Sequence, residues 1–221
     1  MSNLALHLSH HVASALGRQF AFADYLGERS WSVDIGSGAV TFGNDLTFPI
    51  QLLGTESHGN GTWLWAWANT QSNLPPDLLR AVEWIRDYGR DQGVSELTDR
   101  SFPLATADGH KLSLLAAGLT GCGYYRGPYE GGALFFLVEG LPATVLAPVP
   151  PVRVIRVLTE ALQAYELDHR VVVESFLSQQ GFALSSDAAT TAASHANGSR
   201  LQVAFDGHGR VARFDANLVP G

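Results

Sequence analysis

Three tyrosines, an arginine and a glutamate fall within ten residues, Gly123-Tyr124-Tyr125-Arg126-Gly127-Pro128-Tyr129-Glu130-Gly131-Gly132. Tyrosine and arginine are the side chains that interfaces favour as anchors, because each joins a large contact area to a hydrogen-bonding end. A guanidinium at Arg126 has the fork geometry to hold a carboxylate or a phosphate through two parallel bonds. Tyr124, Tyr125, Arg126, Tyr129 and Glu130 are therefore the candidate binding residues. The same segment also reads as a plain hairpin, with its tyrosines laid on a sheet and Arg126 paired to Glu130.

Other groups point to catalysis more weakly. Cys122 is the single cysteine. A nucleophilic thiol needs a neighbouring base and a lowered pKa, and the local sequence supplies neither. His7 and His11 have the i, i+4 spacing of a helical metal pair, but no glutamate completes an HExxH pattern. Asp168-His169-Arg170 has the residue types of a catalytic dyad. Its place at a helix start explains Asp168 as an N-cap and His169 as a first-turn residue. The nucleophile elbow, the phosphate loop and the dinucleotide fingerprint are all missing, and no tight carboxylate pair suggests glycosidase or two-metal chemistry. No catalytic residue, metal ligand or cofactor is assigned.

The elements that must position these groups follow from periodicity. Trp63, Trp65 and Trp67 alternate with Leu64, Ala66 and Ala68, which predicts a strand over 62–69 with three indoles on one face. Such a face either binds sugars, bases or quaternary amines, or fills a core beneath a helix. A helix is expected over 3–26, followed by a meander of about four strands with a turn at Asn60-Gly61. Pro75-Pro76-Asp77 opens a second helix, expected to lie across the tryptophan face and to end at Gly89 or Gly93. Residues 94–109 read as irregular and 110–119 as a short helix. The tyrosine hairpin then spans 122–126 and 132–139.

Four prolines between residues 141 and 151 mark a boundary. Beyond it come helices at about 151–166 and 169–180, then strands with turns at Asn197-Gly198 and Asp206-Gly207-His208-Gly209. The fold class is α+β: a mainly antiparallel sheet packed by helices, with a C-terminal helical hairpin and small β-meander. Residues 1–147 form one portion and 148–221 a second, expected to pack on the first.

Composition narrows the function. The net charge is −7, and Lys111 is the single lysine, so the basic footprint of a nucleic-acid binder is missing. No apolar run approaches the length of a membrane span, and residues 1–30 do not resemble a secretory signal. One cysteine excludes an intramolecular disulfide and suits a cytoplasmic setting. The use of Ala, Gly and Arg over Lys points to a bacterial source.

Trp65-Ala66-Trp67-Ala68-Asn69, Tyr124–Gly132 and Asp168-His169-Arg170 resemble the pattern of an uncharacterised bacterial domain family of unknown function, over about residues 20–215. The resemblance implies no activity, cofactor or site. The expectation is a soluble, non-catalytic binding or interaction protein whose partner is an unknown small molecule or protein. The alternatives are a small-molecule hydrolase using His169, Asp168 or Cys122, and an acidic immunity-type partner of a basic protein.

Overall fold

The computed structural model describes residues 2–220. The chain is α+β with antiparallel sheets, and it divides into two compact units. One is continuous, Gln19–Leu146. The other combines the residues up to Arg18 with those from Ala147 onward. Helix α1 (Asn3–Leu26) gives its first two thirds, to Arg18, to the latter and its last third to the former.

The Gln19–Leu146 unit is built on β1 (Trp31–Asp34), β2 (Ala39–Phe42), β3 (Leu46–Ser57), β4 (Thr62–Trp65), β5 (Ser101–Pro103), β6 (Gly123–Tyr129) and β7 (Gly132–Val138). Its helices are α2 (Arg80–Gln92), α3 (Ser95–Thr98), α4 (Gly109–Thr120) and α5 (Ala143–Leu146). The strand order is β1-β2-β3-β4-β5, with β7 also on β3 and β6 on β7. β3 is the organising strand. Its first four residues pair β2, Ile50–Ser57 pair β7, and Gly54–Ser57 pair β4. The register slips between Leu52 and Gly54, so Leu53 is an extra residue that bends the strand.

One face of this sheet carries Trp63 and Trp65, both fully buried, with Phe135. The two indoles meet edge-on at 5.2 Å, and Trp63 meets Phe135 at 5.5 Å. The Trp65 indole N–H donates to the Glu96 carbonyl at 2.9 Å. The helix start that touches Trp63 is that of α4. A Cβ on Gly109 would come within 2.6 Å of Phe135 and 2.8 Å of Trp63. From the strand side, a Cβ on Gly54 would lie 2.5 Å from both Trp63 and the Leu64 carbonyl. Two glycines thus let helix and sheet close on one indole. The start of α2 is held by Gln51, whose side chain accepts from Ala81 N and donates to the Asp77 carbonyl.

The expected strand over 62–69 is shorter. β4 ends at Trp65, and Ala66–Ala68 and Thr70–Ser72 are 3-10 turns. Continuing past Trp65 would bring β4 opposite the Leu53 bulge on one side, and β5 runs out at Ser101 on the other. Without ladder partners the backbone turns. Trp67 therefore leaves the shared face and lies half-buried beneath the Arg86 guanidinium, 5.0 Å from the ring. Residues 94–109, expected to be irregular, include the short elements α3 and β5.

The opposite sheet face is covered at one end by β1 and β2. Trp31 and Phe42 pack on Tyr125 at 5.5 and 5.0 Å, and Phe22 of α1 adds edge contacts to Phe42 and Phe48.

The discontinuous unit contains α6 (Val154–Ala164), α7 (His169–Gln179), β8 (Ala183–Ser186), β9 (Thr190–Ser194), β10 (Arg200–Phe205) and β11 (Val211–Asn217). The strands form an antiparallel meander, and Leu201, Val203 and Phe205 of β10 are buried. The first half of α1 docks on α7. His10 Nδ1 lies 2.9 Å from the Ser175 hydroxyl, and Gln179 donates to the His10 carbonyl at 3.1 Å.

Replacing Gly109 or Gly54 by alanine is expected to overpack the Trp63 site and destabilise the fold by about 1–3 kcal/mol. Urea unfolding of each variant against wild type measures it.

Candidate functional site

The five hairpin residues divide by strand parity, because successive side chains of β6 point to opposite faces. Tyr124 turns towards α4 and is buried, with its hydroxyl 3.1 Å from His110 Nδ1. Arg126 lies on the same face with its guanidinium 6.0 Å from the Phe135 ring centre. No ion pair joins it to Glu130 among the described residues. Tyr125 points the other way, against Trp31, Phe42 and Phe136, and burial pushes its phenol pKa up. Glu130 is exposed in the turn between β6 and β7. Tyr129 is 52% exposed. Its ring folds across its cross-strand neighbour Gly132, where a Cβ would meet the phenol oxygen at 2.7 Å. The hydroxyl donates a long bond, 3.5 Å, to the Glu56 carbonyl.

Of the five, Tyr129 lines a cavity. This cavity, about 380 Å³, lies within the Gln19–Leu146 unit. Its apolar wall is Ile35, Leu52, Leu64, Leu74 and Leu134, and its polar groups include Thr55, Asn69, Ser72 and Tyr129. Ile35, Leu64, Leu74 and Leu134 are all half-buried. Partly exposed aliphatic side chains are ordinary when scattered, but these four converge on one hollow. The volume falls in the range of small-molecule sites, which are mostly apolar with a few placed polar groups. One rim is the turn segment after β4. There the Asn69 side-chain oxygen accepts from Ser72 N at 3.3 Å, and Asn73 adopts a left-handed conformation with φ 43°.

Sequence reasoning missed the wall. Leu64 alternates with the tryptophans and so belongs to the opposite face, which is the one signal that pointed here. Ile35, Leu74 and Leu134 come from separate segments, and only folding brings them together.

The remaining chemical candidates have structural occupations. The Asp168 carboxylate caps α7 by accepting from Val171 N at 3.0 Å. His169 Nδ1 accepts the Val211 backbone N–H at 3.2 Å, so the neutral ring carries its proton on Nε2. In that tautomer the ring nitrogen that could act as a base is already engaged. Burial, then the Arg210 charge, lowers the His169 pKa against the opposing pull of Asp168 and Asp206. Arg170 stacks on Phe205 at 4.2 Å and donates to the carbonyls of Asp187 and Ala188. Cys122 follows Gly121, the left-handed residue that ends α4, and its thiol lies 4.0 Å from the Thr120 carbonyl. His7 and His11 have pKa values lowered by burial and by His10. Among the described residues no group of three or more His, Cys, Asp or Glu side chains is placed to hold a metal ion. No helix there is long and apolar enough to cross a membrane.

The fold and this cavity define an α+β chain with an apolar hollow on its larger antiparallel sheet. A family of unknown function, DUF6882, matches residues 6–141, and the chain belongs to that family. The matched span holds the tryptophan strand, the tyrosine hairpin and the whole cavity wall, whereas Asp168-His169-Arg170 lies beyond it. No curated protein and no solved structure matches the chain.

Glu174 gives a test of the α7 network. Burial raises its pKa, but bonds from Thr191 (2.8 Å), Ser186 (2.8 Å) and Arg170 (3.3 Å) outweigh this and hold it below the usual glutamate value. A depressed folded-state pKa contributes stability above the unfolded-state value and loses it as pH falls through the folded-state value. Glu174→Gln is expected to lower the melting temperature at pH 7 by about 2–4 °C, corresponding to about 1 kcal/mol for a chain of this size. The gap to wild type should shrink as the pH drops below the carboxylate range, read from melting curves of both proteins.

Proposed function

We propose that this chain is a non-catalytic binding protein, and that the Gln19–Leu146 unit holds a small, largely apolar molecule in the Tyr129 cavity. The observation that carries this reading is the convergence of Ile35, Leu64, Leu74 and Leu134, none of them fully buried, on a hollow of about 380 Å³. An apolar occupant would remove these side chains from water, a gain of about 25 cal/mol for each Å² covered. The polar groups sit where a ligand's single hydrogen-bonding end would be read. Among the described residues the Tyr129 hydroxyl makes one long bond, and the Asn69 amide nitrogen lies beside an oxygen engaged in capping. In this reading Tyr129 touches the ligand. Tyr124, Tyr125 and Arg126 fix the hairpin that carries it, and Glu130 stands in the turn one residue further on.

No histidine, cysteine, aspartate or glutamate is among the residues that line the hollow, which favours binding over turnover. Binding without turnover is what such a lining can do.

A titration with the apolar reporter dye anilinonaphthalene sulfonate tests it. Wild type is expected to bind the dye at a single saturable site. Leu134→Trp, which fills the hollow from a half-buried position, should weaken binding by about tenfold or more, or about 1.4 kcal/mol. Tyr129→Phe should leave dye binding nearly intact, because only the hydroxyl is lost. Equal affinity and stoichiometry in wild type and a folded Leu134→Trp variant would sink the proposal.

A further inference from the structure

We propose, resting on the binding reading above, that Thr55 sets the specificity of the hollow: its hydroxyl receives a neutral hydroxyl or carbonyl oxygen carried by the bound molecule. The register places this side chain. β3 runs between β4 and β7, and Thr55 stands opposite Leu64 on one side and Leu134 on the other. Side chains directly opposite each other across a ladder share a face. Thr55, Leu64 and Leu134 therefore form one row across the floor, and all three line the hollow. Leu52, beyond the bulge, continues the apolar lining along β3. The row is aliphatic except at its middle, where one hydroxyl stands between two leucines.

That hydroxyl is open. Thr55 is half-buried, and its side chain makes no hydrogen bond among the described residues. The other two hydroxyls of β3 have partners: Thr47 pairs with Thr41 at 3.1 Å, and Ser57 accepts from Asn60 N at 3.4 Å. Tyr129 brings its own hydroxyl to the same stretch of β3, at the Glu56 carbonyl, one residue along from Thr55. Two hydroxyls thus meet the floor at one end of an otherwise leucine-rich row.

The lining decides what such a pair of hydroxyls can read. The Thr55 O–H proton has no acceptor among the described residues, and a ligand oxygen supplies one. The same hydroxyl accepts in turn from a ligand O–H. No aspartate, glutamate, lysine, arginine or histidine lines the hollow. A carboxylate or ammonium brought to the floor would shed its water and meet no opposite charge. The group held there is therefore neutral, and a charge elsewhere on the molecule stays at the mouth. A small apolar body with one hydroxyl or carbonyl meets these conditions. A plain hydrocarbon of the same shape leaves the Thr55 hydroxyl cut off from water without a partner.

The test uses p-cresol and p-xylene, which differ by a hydroxyl in place of a methyl. Each is titrated into wild type, Thr55→Val and Thr55→Ser, and dissociation constants are read from the methyl NMR shifts of Leu64 and Leu134. Valine keeps the shape of threonine and removes the hydroxyl. Thr55→Val is expected to weaken p-cresol by about fivefold or more, the size of one net hydrogen bond, and to leave p-xylene no weaker than in wild type. Thr55→Ser restores the hydroxyl and should hold p-cresol close to wild type. The dispersion of the methyl spectrum shows that each variant is folded. Unchanged p-cresol affinity in Thr55→Val, equal weakening of both probes, or loss of p-cresol in Thr55→Ser as in Thr55→Val would each overturn the role of Thr55. With p-xylene still bound at those methyls, the hollow remains a binding site. If neither probe moves them in wild type, the binding reading itself fails, and the role of Thr55 with it.

Discussion

The Gln19–Leu146 unit depends on the enclosure of one indole. Trp63 is wholly buried between a strand glycine, Gly54, and a helix-start glycine, Gly109, and any side chain at either place would collide with it. Glu56 stands directly across β3–β4 from Trp63 and is itself buried. Its carboxyl oxygen accepts from Gly109 N at 2.8 Å, so the same place that receives the indole also binds an otherwise unpaired amide at the start of α4. Aromatic packing and helix capping thus hold one helix at one position on the sheet. With α4 fixed there, the opposite face is left to the β1–β2 hairpin. That hairpin covers the Tyr125 end, and Ile35 in its turn forms one wall of the cavity beside it.

The bulge at Leu53 has a second consequence. It removes the ladder that β4 would need beyond Trp65, so the chain turns into the short helical turns that rim the cavity. Trp67, displaced from the indole row, finds a cation–π contact with Arg86 instead. A single extra residue in β3 therefore separates a core strand from a binding rim. The rim holds the one non-glycine residue with positive φ among those described, Asn73, and asparagine enters that region more readily than other residues with a side chain.

Much of this was readable from residue order. Alternation around Trp63, Leu64 and Trp65, the paired runs on either side of Glu130-Gly131, and Asp168 before an apolar helix are all local patterns with local causes. They correctly indicated β4, the hairpin and the α7 cap. The failures were non-local. Nothing near Trp67 announces a bulge fourteen residues earlier in a neighbouring strand. The charge complementarity of Arg126 and Glu130 suggested a pair, but the strand continues to Tyr129, and Arg126 lies over Phe135 instead. The apolar stripe of α1 is continuous, and periodicity does not reveal that its first half is covered by α7 and its second by β2 and β3. The cavity was hidden for the same reason, since its wall is assembled from five segments with ordinary aliphatic residues.

The central claim is that the hollow beside Tyr129 receives an apolar molecule. Methyl-selective NMR on protein labelled at isoleucine and leucine, titrated with a set of small aromatic and branched aliphatic fragments, addresses it most directly. The account requires saturable shifts confined to the methyls of Ile35, Leu52, Leu64, Leu74 and Leu134, with those of Leu112 and Leu114 on α4 unmoved. Shifts scattered over the surface, or none at millimolar fragment, would contradict it.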